Sequence, residues 1–296
     1  MSKMKSLIFA IWVALLARSL AQSTPSDDFD WDSIQPAYHL KYHPCYQKFQ
    51  CARLKVPLDW LDANNSNTVA IAILKLPATV SETDPSHGGS ILINPGGPGG
   101  SGVGAALHLA DYLQFVVDSE DKHYEIVGFD PRGIAFTTPP ADCYFDPFAR
   151  GTYAMQVRGL GGLVPELAPL SKRQAMVNAY GRLCGENLGG EGGILPFAST
   201  ASVARDMVEI VDKIEELRQK EKNQSPGRHP GQKPMVGEEA NATPKGPARL
   251  QYIGFSYGTV LGNTFASMFP GRVGRIVLDG VCDIDDYMGG VRASCH

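Results

Sequence analysis

The chain has no apolar run long enough to cross a bilayer. Leu7–Ala17 comes nearest with eleven residues, where a hydrocarbon core of about 30 Å needs about 20. It has no excess of one charge: Lys and Arg total 27 against 31 Asp and Glu, a formal net charge of −4. That leaves no basic footprint for nucleic acid and no acidic tail. No H-E-x-x-H and no C-x-x-C occurs, so no familiar metal-ligand spacing is present, and no internal repeat appears. What remains is a chain of 296 residues, 43% hydrophobic, able to bury one sizeable core or two small ones.

The N-terminus reads as an export signal. Lys3 and Lys5 precede the apolar run, and Ser19-Leu20-Ala21 places small residues where a signal peptidase cuts. Residues 1–21 are therefore expected to be removed, leaving 22–296 as a secreted protein with no membrane anchor. Six cysteines suit an oxidising compartment. They allow about fifteen full pairings; we expect Cys45 with Cys51 and Cys143 with Cys184, with Cys282 and Cys295 left open. Asn64, Asn223 and Asn241 begin N-x-S/T sequons compatible with glycosylation, although Pro226 weighs against the second.

Apolar patterning predicts strands at Ala52–Val56, Thr68–Leu76, Ser90–Asn94, Tyr124–Phe129, Leu250–Gly254 and Val273–Leu278, several of them closed by proline or glycine. Helices are expected from Ser101 to Val117 and from Tyr257 to Met268. A third begins at a Ser199 or Thr200 cap and carries the stripe Val203, Met207, Ile210, Val211, Ile214 and Leu217, which reads as core packing. Strands alternating with helices imply parallel crossovers and an α/β sheet covered on both faces. Residues 140–196 break the alternation and read as a cap-like insertion with one helix near Lys172–Leu183. Residues 219–248, dense in Lys, Gln, Pro and Gly, read as a long mobile surface loop.

Gly254-Phe255-Ser256-Tyr257-Gly258 matches G-x-S-x-G. Five such residues arise readily by chance, so the context decides. An apolar strand precedes and a helix follows, the setting in which this motif forces a nucleophilic serine onto a sharp turn with glycines two places either side. Such a serine needs two backbone N–H groups aimed at the oxyanion of a tetrahedral intermediate, each worth about 3 kcal/mol of barrier. Tyr257, next after the serine, is one candidate. Gly97, in the loop Asn94-Pro95-Gly96-Gly97-Pro98-Gly99-Gly100-Ser101-Gly102, is the other. Gly97, Gly99 and Gly102 also spell G-x-G-x-x-G, but a dinucleotide site wants an acid about 20 residues on. The acid ending the next strand is Asp130, well beyond that spacing.

Taken together, these stretches carry a resemblance. Cys51 to Trp60, Asn94 to Gly102, Gly128-Phe129-Asp130-Pro131-Arg132-Gly133, Ser202 to Asp206, and Gly254 to Asp279 are similar, in the same order, to the secreted tripeptidyl aminopeptidase-like branch of the α/β-hydrolases, related to proline iminopeptidases. The resemblance implies an α/β-hydrolase fold with a mostly parallel sheet and a serine hydrolase acting on peptides, or on small esters, near a free amino terminus. It implies Ser256 as nucleophile, the Gly97 and Tyr257 amides as oxyanion hole, no metal and no organic cofactor. It also implies a structural ion pair between Asp130 and Arg132.

The triad is where the sequence departs from that pattern. In this fold the acid and then the histidine follow the serine, yet only His296 lies beyond Ser256, at the last position. Asp279 reads as a strand-end turn residue. His39, His43, His87, His108, His123 and His229 precede the serine and read as surface or loop residues. The triad Asp and His are therefore expected to be missing from this chain. The expectation is a truncated hydrolase, weakly active or inactive, with its sheet incomplete on the C-terminal side. Three readings stand: a serine exopeptidase, a secreted esterase or lipase of the same fold, and a non-catalytic product.

Overall fold

The computed structural model describes residues 29–144, 146–160, 167–190, 192–224 and 246–289. The expected signal peptide, His229, Asn241, Cys295 and His296 fall outside them. So does 225–245, the greater part of the segment expected to be a mobile loop.

Seven strands form one sheet among the described residues: β1 (His43–Cys45), β2 (Phe49–Pro57), β3 (Thr68–Leu76), β4 (His87–Asn94), β5 (His123–Phe129), β6 (Leu250–Phe255) and β7 (Val273–Asp279). Their spatial order is β1-β2-β3-β5-β4-β6-β7. The first three strands and the β3–β5 pair run antiparallel, whereas β5, β4, β6 and β7 are mutually parallel. The sheet is thus mixed, its parallel half being the part built from crossovers. Helix α1 (Gly102–Val117) connects β4 to β5, and α5 (Tyr257–Met268) connects β6 to β7.

Alternation within the strands sorts two cores onto the two faces. Ala72, Leu74, Ile91 and Ile93 meet Val103, Ala106, Ala110 and Leu113 of α1 on one side. Ile71, Ile73, Leu92, Val127, Phe129 and Tyr252 meet α4 (Thr200–Gln224) and α5 on the other, through Met207, Ile210, Leu261 and Phe265. The apolar stripe expected on α4 is core packing, as its period predicts. Ser199 is its cap: the Oγ accepts from Ser202 N at 3.1 Å.

The expected disulfides Cys45–Cys51 and Cys143–Cys184 are both formed. Cys282 is buried and is also disulfide-bonded. The insertion differs from its reading in having two helices, α2 (Pro147–Gly159) and α3 (Leu167–Leu188). Helix α2 starts on an Asp146 cap and buries none of its residues, so no apolar stripe announces it. Helix α4 also runs through Gln224, past the expected loop start at 219. Residues 215–224 are rich in Glu, Arg, Lys and Gln, which favour helix, and Arg218 anchors the last turns through Glu82 and Glu215. A short helix, α6 (Ile284–Gly289), follows β7.

Candidate active site

β6 ends at Phe255 and α5 begins at Tyr257, so the whole reversal falls on Ser256. Its backbone sits at φ 53°, ψ −124°, a region that costs a side-chain-bearing residue about 1–3 kcal/mol. Surrounding bonds hold it there. Ser256 N donates to Asp279 O at the end of β7 (3.0 Å), and Ser256 O accepts from Thr259 N (2.8 Å) and Thr259 Oγ1 (2.7 Å). Thr259 Oγ1 in turn accepts from Cys282 N (3.0 Å).

The flanking glycines are required by space. A Cβ on Gly254 would lie 2.5 Å from Gly258 O, and one on Gly258 would lie 2.7 Å from Asn94 O. Beneath the turn, the Tyr252 hydroxyl donates to Gly258 O at 2.8 Å; its burial pushes the phenol's pKa far up.

The glycine-rich loop after β4 lies directly against this turn. At Gly96 a Cβ would be 2.4 Å from Phe255 O, 2.8 Å from Tyr257 N and 3.0 Å from Ser256 Cβ, so only glycine fits. The loop carrying Gly97 and the turn carrying Ser256 and Tyr257, far apart in sequence, are brought together here. The Tyr257 side chain turns toward α4 and α6. Its hydroxyl is 2.6 Å from Thr200 Oγ1, and its ring lies 5.7 Å from that of Tyr287.

The expected Asp130–Arg132 ion pair is not the pairing found. Arg132 Nε and Nη2 grip the two oxygens of Asp206 on α4 at 2.6 and 2.7 Å, with both side chains fully buried. Trp60 Nε1 donates to Asp206 as well, at 2.8 Å. Arg132 also donates to the carbonyls of Pro57 and Leu58. Asp130, two residues earlier, has its carboxylate on the Ser101 hydroxyl and the amides of Val103 and Phe136. Burial pushes the Asp130 carboxyl above its ordinary range, against the pull of those bonds. Asp279 stands where the sequence puts it, at the strand end, with its carbonyl holding Ser256.

His43, His87 and His123 are not loop residues but open β1, β4 and β5, and His108 lies on the exposed side of α1. His87 belongs to a partly buried network at the amino ends of the strands, opposite Ser256. There the carboxylates of Glu82 and Glu125 and the His87 imidazole bring three ligand atoms within 4.8 Å of one another. Lys75 Nζ is already 2.8 Å from Glu125 and 3.6 Å from Glu82, and Arg218 contacts both. His87 Nδ1 accepts from Gly89 N at 3.1 Å, so in the neutral ring the proton sits on Nε2, the nitrogen facing Glu82. That arrangement is an ion-pair network rather than an open set of metal ligands. A groove of about 460 Å³ opens at this same end, between Ser90, Arg218 and Gln251.

No family model matches the chain. Among curated proteins it is 28% identical to serine protease Hip1 of Mycobacterium tuberculosis over 238 residues, 79% of this chain and 36% of that one. It is 26% identical to tripeptidyl aminopeptidase of Streptomyces lividans over 252 residues, 85% of this chain and 38% of the other. Carboxylesterase B of M. tuberculosis is 32% identical over 163 residues, covering 53% and 28%. Among solved structures, juvenile hormone epoxide hydrolase from Bombyx mori aligns over 78% of this chain and 35% of that chain, at TM-score 0.35 and 12% identity. The chain thus spans a little over a third of the length of the two peptidases it matches. The chain is similar to a serine protease, a tripeptidyl aminopeptidase and a carboxylesterase, and its own sheet carries the strand–serine–helix turn in which a nucleophilic serine is found.

Proposed function

We propose that the chain carries the nucleophile and oxyanion part of a serine hydrolase site, with Ser256 as nucleophile and the Gly97 and Tyr257 amides as oxyanion donors. The observation that carries this reading is the strained backbone of Ser256 (φ 53°) between β6 and α5, with the glycine loop packed against it. Strain of this kind persists only where surrounding structure over-determines it, and it concentrates at functional sites. Ser256 Oγ attacks a carbonyl carbon. The carbonyl oxygen gains the negative charge, and two amides pre-aimed at it stabilise that charge without reorganising. The N-terminus of α5 adds its dipole in the same sense. The hydroxyl proton must pass to a base, a role we assign to none of the described histidines.

The substrate we propose is a peptide cleaved near its free amino terminus, by analogy with the peptidases among the relatives. Ester cleavage is the second reading, favoured by the similarity to a carboxylesterase and by the shared oxyanion chemistry. We propose that the chain works outside the cytosol; its disulfides, which persist in oxidising compartments, support this.

A fluorophosphonate probe tests the site. The folded protein should be labelled, and Ser256→Ala should abolish the signal. Absence of labelling in a folded wild-type chain would overturn the reading of Ser256 as a competent nucleophile. If labelling succeeds, turnover of tripeptide amides against p-nitrophenyl esters separates peptidase from esterase.

A further inference from the structure

The loop from Asn94 to Ser101 is pinned at both ends by buried side chains. At its start, Asn94 is 2% exposed and its Oδ1 accepts from Gly96 N at 2.9 Å. Between the pins, Gly100 N donates to Gly96 O at 3.0 Å, closing a tight turn around Gly97. At its end, Ser101 Oγ donates to Asp130 Oδ1 at 2.6 Å and accepts from Gly104 N at 2.8 Å, capping α1. The same Asp130 oxygen accepts from Val103 N at 3.1 Å. Its second oxygen accepts from Phe136 N at 3.0 Å, in a segment whose Ile134 Cδ1 would lie 4.0 Å from a Cβ on Gly99.

Asp130 is 0% exposed, and the donors on its carboxylate are a hydroxyl and backbone amides. The neighbouring arginine is committed to Asp206. A buried carboxylate held by neutral donors is costly unless each bond is well made. Those bonds tie the glycine loop and the first turn of α1 to the end of β5 and to the segment after it.

We infer that Asp130 is the positioning residue of the oxyanion loop: through Ser101 it fixes the turn that aims the Gly97 amide at the carbonyl bound above Ser256. The inference rests on the proposed hydrolase reading for its consequence, though not for the anchoring itself. Asp130 touches no reacting atom. It acts by keeping a backbone donor in register, and an oxyanion donor misaligned by a fraction of an ångström loses part of its stabilisation of the transition state.

The test is Asp130→Asn, which keeps size and removes charge. An amide offers one acceptor oxygen, so its NH₂ must face either Phe136 N–H or the Ser101 and Val103 donors. We expect fluorophosphonate labelling to slow about tenfold or more, part of the roughly hundred- to thousandfold that a lost oxyanion donor costs. With an ester substrate, kcat should fall by that factor while KM stays within about twofold. Amide exchange should rise in residues 95–104 and stay unchanged in β4 and β6. Labelling within about twofold of wild type, in a folded variant with unchanged loop exchange, would overturn the inference. Exchange rising across the whole sheet would overturn it too, because that marks Asp130 as general scaffolding. If Asp130→Asn does not fold, Ser101→Ala keeps the carboxylate and removes only the hydroxyl link. It should raise loop exchange and slow labelling less than the aspartate change would, and no change in either overturns the claim. Failure of the wild-type chain to label would sink the hydrolase reading alone, since the exchange arm still decides whether Asp130 anchors the loop.

Discussion

At the amino ends of β4 and β5, Lys75 and Arg218 meet the carboxylates of Glu82 and Glu125 as ions, with the His87 imidazole beside them. At the carboxyl ends of the same strands, the contacts that fix the glycine loop are amides, carbonyls, a hydroxyl and one carboxylate without a cation on it. Ser256 is held by Asp279 O, Thr259 N and Thr259 Oγ1 in the same neutral manner. An ion cluster titrates, and salt screens its exposed members. Backbone amides do neither. The two ends therefore divide the labour: the amino end is a cluster of charges whose titration can make stability depend on pH, while at the carboxyl end backbone and hydroxyl groups hold the Ser256 turn, with the Asp130 carboxylate as the titratable anchor of the glycine loop beside it. Set behind the neutral end, the buried Arg132–Asp206 pair joins α4 to the turn after β2 and to the strand end at Arg132.

That pair gives the largest expected effect. Arg132→Ala leaves Asp206 fully buried with a charge and only Trp60 to bond it. It also strips the donors from the carbonyls of Pro57 and Leu58. Breaking a buried pair from one side costs about 3–5 kcal/mol, a large share of a typical domain's stability. Urea denaturation should register the loss. The double change Arg132→Met with Asp206→Leu should recover much of it, because the orphaned charge is gone. If the single variant loses less than about 1 kcal/mol, the carboxyl end is not anchored through this pair.

Much of the fold could be read before any coordinates. The bounds of β3 (Thr68–Leu76) and α5 (Tyr257–Met268) match expectation to the residue. Pro77 and Pro270 mark their ends, and their apolar periods are unbroken. The Ser256 turn was legible because its glycines are dictated by backbone contact that no larger residue survives. Partner choice was not legible. Arg132 lies two residues from Asp130 and 74 from Asp206, so sequence proximity favours the wrong acid; only the folded position of α4 brings Asp206 within reach. Helix α2 escaped because it has no buried side chain to set a period, although Asp146-Pro147 is a recognisable cap and first helical residue. The amino-end network draws on β3, β4, β5, α4 and the β3–β4 connection, and no local pattern assembles residues from five segments.

The next effect in size sharpens the contrast between the ends. Burial alone would raise the Glu82 pKa, but hydrogen bonds shared with Glu125 and Arg218, and the charges of Arg218 and Lys75, outweigh it and hold it at about 2. The folded value lies below the unfolded one, so this carboxylate contributes stability that is fully present above about pH 4.5 and is lost as pH falls toward 2. Glu82→Gln should lower the urea midpoint at neutral pH. It should also flatten the fall in midpoint between about pH 5 and pH 3. A variant whose midpoint falls as steeply as wild type over that range would remove Glu82 as a source of acid sensitivity.

The smallest expected effect falls at the neutral end. Tyr252→Phe deletes one hydroxyl, leaving the ring packed beneath the turn and Gly258 O without that donor. A buried neutral hydrogen bond is worth about 0.5–1.5 kcal/mol, so the stability cost should stay near 1 kcal/mol. Because the hydroxyl is held in its neutral form far above the physiological range, the cost should be the same at about pH 5 and about pH 8. Denaturation curves at the two pH values check this directly. Equal losses keep the two ends distinct, whereas a loss that grows toward either pH would mean that a titrating group reaches the Ser256 turn, and the division between a charged end and a neutral one would fail.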